Sequence, residues 1–179
     1  ASQLHMKLVI DADTDAILGA QIVGEEGADK RIDIIATAMR AGLSATDLAD
    51  LELAYAPQFG SAKDPINIAG FINDNLVHGE ETVQWHELDA RITTGATLVD
   101  VRSTTEFASV SIPGALNIPL DELRARHGEL PAEGDIIVHC QVGLRGHTAA
   151  RLLKNLGVGT SVANLDGGYL TWKHGKATL

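Results

Sequence analysis

The second half of the sequence alternates short apolar runs with amphipathic stretches, and this alternation limits the fold more than any other feature. The β-branched run at residues 136–139 is typical of a strand buried on both faces. Further strands are expected at 97–101, 116–118 and 161–165, and helices from near Ser103 and at 121–126, 146–156 and 168–174. Strands that alternate with helices predict an α/β fold with a central parallel sheet flanked by helices.

The first 79 residues show a different pattern, which predicts a smaller α+β unit. Apolar runs at 4–10 and 16–23 flank an acidic segment at 11–15. That arrangement predicts two antiparallel strands joined by a polar turn. A calcium-binding loop would need a central glycine and a closing glutamate, and the acidic segment lacks both.

Helical spacing follows the predicted hairpin. The first expected helix is 29–42, which ends at Gly42 and has apolar residues at helical spacing: Ile32, Ile35, Met39 and Leu43. A short helix capped by Ser44 follows and runs to Leu51. A third helix begins at Asp64 and Pro65 and carries Ile68, Ile72 and Leu76 on one side. The polar stretch 75–81, which holds Gly79, predicts a linker. We therefore expect domains at 1–79 and 80–179.

Charge and cysteine content exclude several classes of protein. The net charge of -10 argues against a nucleic-acid partner bound through phosphate contacts. The single cysteine excludes an internal disulfide and fits a reducing, cytoplasmic location. No apolar run of about 18 residues and no signal peptide are present, so no membrane partner is expected. The seven histidines show no metal-ligand spacing, so no metal is expected either.

Cys140 directly follows the predicted buried strand and opens a glycine-containing loop that leads into a helix. Such a loop stabilises anions, because its N–H groups are free and the helix dipole is positive there. Gly143 and Gly146 would permit a tight curl, and Arg145 adds positive charge. The pattern predicts that Cys140 is a nucleophile whose anionic forms the loop stabilises. Without that context, a single cysteine is more often an inert core residue.

Around this loop the sequence resembles the rhodanese-like sulfurtransferases. The segment from His139 to Arg145 is similar to the family's active-site loop, and 98–102 with Glu106, 112–119 and 165–172 resemble three flanking motifs in the family's order. Ser111 departs from the histidine that many members carry. The resemblance implies that Cys140 is catalytic and carries a persulfide. It also implies that Asp100 and Arg102 are supporting residues. The implied substrate-binding residues are those of the loop: Gln141, Val142, Gly143, Leu144, Arg145 and Gly146.

The length of the loop separates sulfur transfer from phosphate chemistry. Cys140 to Arg145 spans six residues, whereas a related phosphatase group uses a loop one residue longer that suits a larger tetrahedral phosphate. The shorter loop favours a sulfur atom as the substrate and leaves phosphatase activity as the weaker alternative. A non-catalytic docking or regulatory module is a further alternative.

The first part of the sequence resembles the dimerisation domain of pyridine nucleotide-disulfide oxidoreductases. The similar segments are 7–11, 17–24 and 53–67, and they are closest to the coenzyme A-disulfide reductases and NADH-dependent persulfide reductases. Some of those flavoproteins end in a rhodanese domain. The chain opens at Ala1 inside the dimerisation domain, so the resemblance implies a fragment with a partial α+β dimerisation domain followed by a rhodanese-like domain.

This second resemblance sets the expected cofactors and partners. It implies FAD and NADH, with coenzyme A as a further candidate, in the full-length parent, and no cofactor in this chain. The implied partners are a sulfane-sulfur donor, a thiol acceptor, the parent reductase domains and a second subunit in a homodimer. Tyr55 best matches a tyrosine that contributes to the partner subunit's active site, although a packed turn tyrosine is an equal alternative.

Overall fold

The computed structural model describes residues 3–178 and divides into two compact units, which meet in the sequence between Glu80 and Glu81. Each unit has hydrophobic clusters of its own. In the first unit the cluster includes Ile17, Ile35 and Leu48, whereas the second unit has one cluster on each face of a sheet.

The first unit contains the predicted hairpin, one long helix after it and a second helix later in the chain. Its elements are β1 (Leu4–Ile10), β2 (Ile17–Gly24), α1 (Ala28–Ala41), a 3₁₀ turn (Thr46–Asp50) and α2 (Pro65–Val77). β1 and β2 are antiparallel, and the Asp11 carboxylate accepts hydrogen bonds from the N–H groups of Asp13 and Thr14 in the turn between them. Asp64 caps α2 by accepting from the Ile66 N–H.

Three details of the first unit differ from the sequence prediction. The short helix is a 3₁₀ turn, although Ser44 does accept a hydrogen bond from the Asp47 N–H. Met39 is exposed, and Ala38 takes its place in the core beside Ile35. The predicted linker at 75–81 begins too early, because residues 75–77 form the last turn of α2.

The side of α2 that the sequence predicts to be apolar is exposed in the structure. Ile68, Ile72 and Leu76 are all exposed, and the buried positions are Ile66, Gly70 and Asn73. Gly70 lies so close to the 3₁₀ turn that an added Cβ would be 2.2 Å from the backbone nitrogen of Ala49. The buried side of α2 is thus the one with Ile66 and the close backbone approach at Gly70, and the predicted apolar row lies on the exposed side.

The second unit is built on a five-stranded, wholly parallel sheet in the order β3-β7-β6-β4-β5, which confirms the predicted α/β architecture. The strands are β3 (Glu81–Val83), β4 (Thr97–Asp100), β5 (Leu116–Asn117), β6 (Asp135–His139) and β7 (Ser161–Leu165). The helices are α3 (Leu88–Thr93), α4 (Thr104–Ser109), α5 (Leu120–Arg126), α6 (Leu144–Leu156) and α7 (Gly168–Lys176). β3 and α3 are absent from the sequence prediction.

β6 lies inside the sheet and is covered on both faces. Ile136 and Val138 pack into one cluster, with α5 and α6, and Ile137 packs into the other. Because successive side chains of a strand point to opposite faces, this burial explains the continuous apolar run. The carboxyl ends of β4 and β6 bring Asp100 and Cys140 to the same edge of the sheet. Among residues 3–178, no helix is long and apolar enough to cross a membrane.

Candidate active site at the Cys140 loop

The Cys140 loop curls back so that its own backbone faces the sulfur. Cys140 is 1% exposed, and its Sγ accepts a hydrogen bond from the Gly143 N–H at 3.2 Å. Gly143 has φ 116°, a conformation that favours glycine. The curl of the loop thus gives the sulfur a backbone N–H donor from Gly143.

α6 begins at Leu144, two residues earlier than the sequence predicted, so Arg145 and Gly146 lie in its first turn. The first N–H groups of a helix have no partner within the helix, and they sit at the positive end of its dipole. Gly146 is needed for packing rather than for the curl, because an added Cβ would lie 2.2 Å from Asn164 Oδ1. Asn164 in turn donates from Nδ2 to the Gly143 carbonyl at 3.2 Å.

A second turn, between β7 and α7, supports the Cys140 loop from its carbonyl side. The Tyr169 N–H donates to the Cys140 carbonyl at 2.8 Å, and the Leu170 N–H donates to the Gln141 carbonyl at 3.1 Å. Gly168 allows the approach, because an added Cβ would lie 2.6 Å from the Cys140 carbonyl oxygen. Sequence reasoning found the resemblance of this turn to a family motif but not its bonds to the loop.

Asp100 and Arg102 form a buried ion pair under the loop. Their side chains are 0% and 1% exposed, and Arg102 Nη2 lies 2.7 Å from Asp100 Oδ2. Arg102 Nη1 donates to Gln141 Oε1 at 3.1 Å, and its guanidinium lies 4.6 Å from the Tyr169 ring centroid. Arg102 also donates to the Val110 carbonyl. The pair thus connects the end of β4 to Gln141, the residue that follows Cys140 in the loop.

His139, the last residue of β6, is fully buried beside the pair. Its Nδ1 donates to the Cys140 carbonyl at 3.3 Å, and its Nε2 lies 3.6 Å from Asp100 Oδ2. Burial lowers the pKa of His139 below its ordinary value and outweighs the opposite effect of Asp100. His139 is therefore a neutral residue at neutral pH.

Arg145 is paired with Glu106, a contact that the sequence did not predict. Both nitrogens Nη1 and Nη2 donate to the Glu106 carboxylate at 2.8 Å. The hydrogen bonds from Arg145 lower the pKa of Glu106 to about 2, despite the opposing effect of burial. The Ser103-x-x-Glu106 spacing is the signature of a capping box, which the structure contains, but the spacing alone gives no sign of the distant arginine.

The remaining predicted residues differ in their exposure. Val142 and Leu144 are exposed at 59% and 74%, so the outer side of the loop is apolar. Tyr55 lies in the first unit, in the segment before α2, and is 55% exposed. It lines a small cavity of about 40 Å³ together with Arg31 and Asp64. Within the described part of the chain, no group of three histidine, cysteine, aspartate or glutamate residues could hold a metal ion.

The family of the chain follows from the region that contains this loop. Residues 84–174 match the family model of the rhodanese-like domain, which is half of the chain. The chain belongs to the rhodanese-like family. Residues 1–64 match the model of the pyridine nucleotide-disulphide oxidoreductase dimerisation domain, so both resemblances seen in the sequence are confirmed.

Similar proteins match either part of the chain or nearly all of it. The coenzyme A disulfide reductase of Staphylococcus aureus strain JH9 is 44% identical over 70 residues, which is 39% of this chain and 16% of that protein. The reduced CoADR-RHD protein of Bacillus anthracis is 47% identical with a TM-score of 0.90, covering 96% of this chain and 30% of that one. A NAD-dependent persulfide reductase from A. fulgidus is 35% identical with a TM-score of 0.81, covering 94% and 30%. The chain thus spans less than a third of these relatives.

Proposed function

We propose that Cys140 is the catalytic nucleophile of a sulfurtransferase and carries sulfur as a persulfide. The observation that carries the proposal is the hydrogen bond from the Gly143 N–H to the Cys140 sulfur, at the end of a buried strand and next to a helix N-terminus. An anionic sulfur at this place meets backbone donors and the positive end of the α6 dipole. A neutral, inert core cysteine has no need of such an arrangement.

The proposed reaction has two displacement steps. The Cys140 thiolate attacks the sulfane sulfur of a donor; the donor's S–S bond breaks, and the donor leaves with the bonding electron pair as a thiolate or, from thiosulfate, as sulfite. An acceptor thiolate or cyanide then attacks the outer sulfur of the persulfide and regenerates the Cys140 thiolate. No net oxidant is needed, because sulfur passes from one nucleophile to another. Carriage on the cysteine splits one transfer into two easier steps.

The loop residues have separate proposed roles in these steps. The backbone of residues 141–146 binds the sulfur substrate, and Arg145 stabilises its negative charge. Asp100 and Arg102 hold Gln141 through the 3.1 Å bond from Arg102 Nη1 and so support the loop without contacting the substrate. The six-residue loop favours sulfur over phosphate as the substrate, as argued from its length.

We further infer a parent enzyme in which this domain serves a coenzyme A-disulfide, persulfide or polysulfide reductase. The names of the similar proteins from Staphylococcus aureus and A. fulgidus support this inference. The parent would use FAD and NADH, with coenzyme A as a further candidate, and would form a homodimer through the region at 1–79. Tyr55, exposed in the first unit, would reach the partner subunit's active site. Residues 80–179 would act as the sulfur-carrying domain.

Replacing the nucleophile tests the proposal. Cys140→Ser should reduce cyanide-accepting sulfur transfer to the uncatalysed background, because a serine hydroxyl cannot carry sulfur as a persulfide. In mass spectra taken after thiosulfate or polysulfide treatment, the wild-type chain should gain one sulfur atom and the variant none. Equal unfolding midpoints of the two proteins would show that the serine is tolerated. Transfer that survives in Cys140→Ser refutes the proposal, and an accessible Cys140 that gains no sulfur favours a docking module.

A further inference from the structure

Glu106 connects the start of α4 to the end of the Cys140 loop. Its Oε2 accepts hydrogen bonds from the Ser103 N–H and from Ser103 Oγ, both at 3.0 Å, which closes the capping box of α4. The same carboxylate accepts both guanidinium bonds from Arg145. The position of Glu106 is therefore fixed by its own helix, and the position of Arg145 is fixed by Glu106.

Arg145 is the last residue of the six-residue loop that begins at Cys140. The hydrogen bonds to Glu106 are the main reason that the pKa of Arg145 is raised, and the charge and hydrogen bonding of Cys140 add to the effect. The guanidinium thus carries a positive charge that Glu106 compensates and that an anion on Cys140 would also attract. The sequence predicts that Arg145 adds positive charge beside Cys140, and in the structure that charge is paired with the Glu106 carboxylate.

Two arginines of the loop region are each paired with a carboxylate. Arg102 donates to Gln141 of the loop, and Arg145 is itself the last residue of the six-residue loop. Arg102 is bonded to Asp100, and Arg145 is bonded to Glu106. His139 beneath the loop is neutral because burial lowers its pKa. The stabilisation of an anion on Cys140 then rests on backbone N–H groups and on the α6 dipole more than on net positive charge.

We propose that Glu106 is a positioning residue that sets the charge met by substrates at Cys140. It holds the Arg145 fork on its own carboxylate, at the end of the Cys140 loop, and cancels the net charge of Arg145. This cancellation selects sulfur donors with at most one negative charge over a dianion such as thiosulfate. This role rests on the proposed function, because it concerns the donors of the same cysteine. The exposed and apolar Val142 and Leu144 agree with a donor of low charge, since they add no cation to the entrance of the loop.

The test compares two alkylating reagents that differ in charge. Iodoacetate carries a negative charge and iodoacetamide is neutral, and the sulfur displaces iodide from both; the chain has one cysteine, so the modified residue is known. The ratio of the two rate constants reports the charge near Cys140, whereas a loosened loop changes both rates together. In Glu106→Gln, the unmatched Arg145 should raise the ratio of the iodoacetate to the iodoacetamide rate by about threefold to tenfold. The kcat/KM for thiosulfate should rise in the same direction.

Three variants serve as controls for this ratio. On the surface, the Glu129 carboxylate accepts two hydrogen bonds from Arg126, as Glu106 does from Arg145. Glu129→Gln removes that carboxylate and should leave the ratio unchanged. Ser103→Ala weakens the capping box but keeps the Glu106 charge, so it should also leave the ratio unchanged. Glu106→Asp keeps the negative charge and should restore the ratio to within about twofold of wild type.

One more variant keeps the test decisive if Glu106→Gln fails to fold. Arg145→Gln leaves the Glu106 carboxylate unmatched, so the ratio should fall below that of wild type. An unchanged ratio in both Glu106→Gln and Arg145→Gln, with both reagents slowed equally, would overturn the proposal and leave Glu106 with a structural role alone. A ratio that shifts as expected in a chain whose Cys140 takes up no sulfur would refute the proposed sulfur transfer and leave the charge-setting role standing.

Discussion

Arg102 supports the Cys140 loop through contacts with residues other than the cysteine. Its guanidinium is buried with bonds to Asp100, Gln141 and the Val110 carbonyl, and it lies over the Tyr169 ring. Each of these partners belongs to a different segment of the second unit. A buried ion pair is a weak source of net stability, but breaking it by removing one partner leaves an uncompensated charge.

Arg102→Met should therefore destabilise the second unit by about 3–5 kcal/mol, because the Asp100 carboxylate stays buried without its partner. The double variant Asp100→Asn with Arg102→Met should be destabilised much less than the single one. Trp85 and Trp172 both lie in the second unit, so tryptophan fluorescence during urea unfolding reports on this unit. Equal destabilisation of the single and double variants would contradict the expected role of the ion pair.

At the scale of elements, the site is a meeting of two strand-to-helix turns. The Cys140 loop joins β6 to α6 and supplies the sulfur, while the turn from β7 to α7 supplies two N–H donors to the carbonyls of the loop. These donors, from Tyr169 and Leu170, are among the first N–H groups of α7, which have no partner within their own helix. Each turn thus satisfies backbone groups of the other.

Gly168→Ala tests this contact between the turns. Gly168 has φ 60°, and its added Cβ would meet the Cys140 carbonyl oxygen at 2.6 Å, so the variant should displace the loop and slow sulfur transfer at least about tenfold. Gly157→Ala is the matched control, because Gly157 has a similar φ of 68° at the end of α6 and nothing within 4 Å of an added Cβ. Both variants incur a left-handed backbone cost of about 1–2 kcal/mol. Equal transfer rates in the two variants would show that the contact is not needed.

β6 and α6, which the sequence predicted, have long or strongly patterned segments, although the short β5 and α4 were predicted as well. β6 was recognised from a run of β-branched residues, and α6 from its amphipathic spacing. β3 has three residues, two of them exposed, and α3 has six, so neither offers a period long enough to read. The exposed side of α2 could not be read either, because the approach at Gly70 depends on the backbone of a distant turn.

At the scale of the whole molecule, the topology of the sheet determines what the sequence could reveal of the site. Cys140 and its loop are contiguous in the chain, so their place at a strand end was predictable. Glu106 and Arg145 lie 39 residues apart and meet through the placement of α4 and α6 around the sheet. Pairings of this kind need the strand order, which the sequence pattern did not specify.

Each unit has hydrophobic clusters of its own, which leads to a prediction for the second unit. Residues 80–179, produced alone, should fold, because a domain with its own core is in principle independent. The iodoacetamide rate at Cys140 should then stay within about twofold of the rate in the whole chain. Native-like tryptophan fluorescence would serve as the check on folding. A folded segment with a much altered rate would show that the first unit shapes the loop.

The bonds from Tyr169 and Leu170 to the Cys140 loop have one more consequence. A peptide group is planar, so a carbonyl held by one partner also fixes the N–H on the other side of the same plane. The two carbonyls bonded to α7 belong to the peptide planes that carry the N–H groups of Gln141 and Val142. Neither plane can flip unless the first turn of α7 releases its carbonyl, so the N–H groups of Gln141 and Val142 keep their direction for as long as that turn of α7 stays formed.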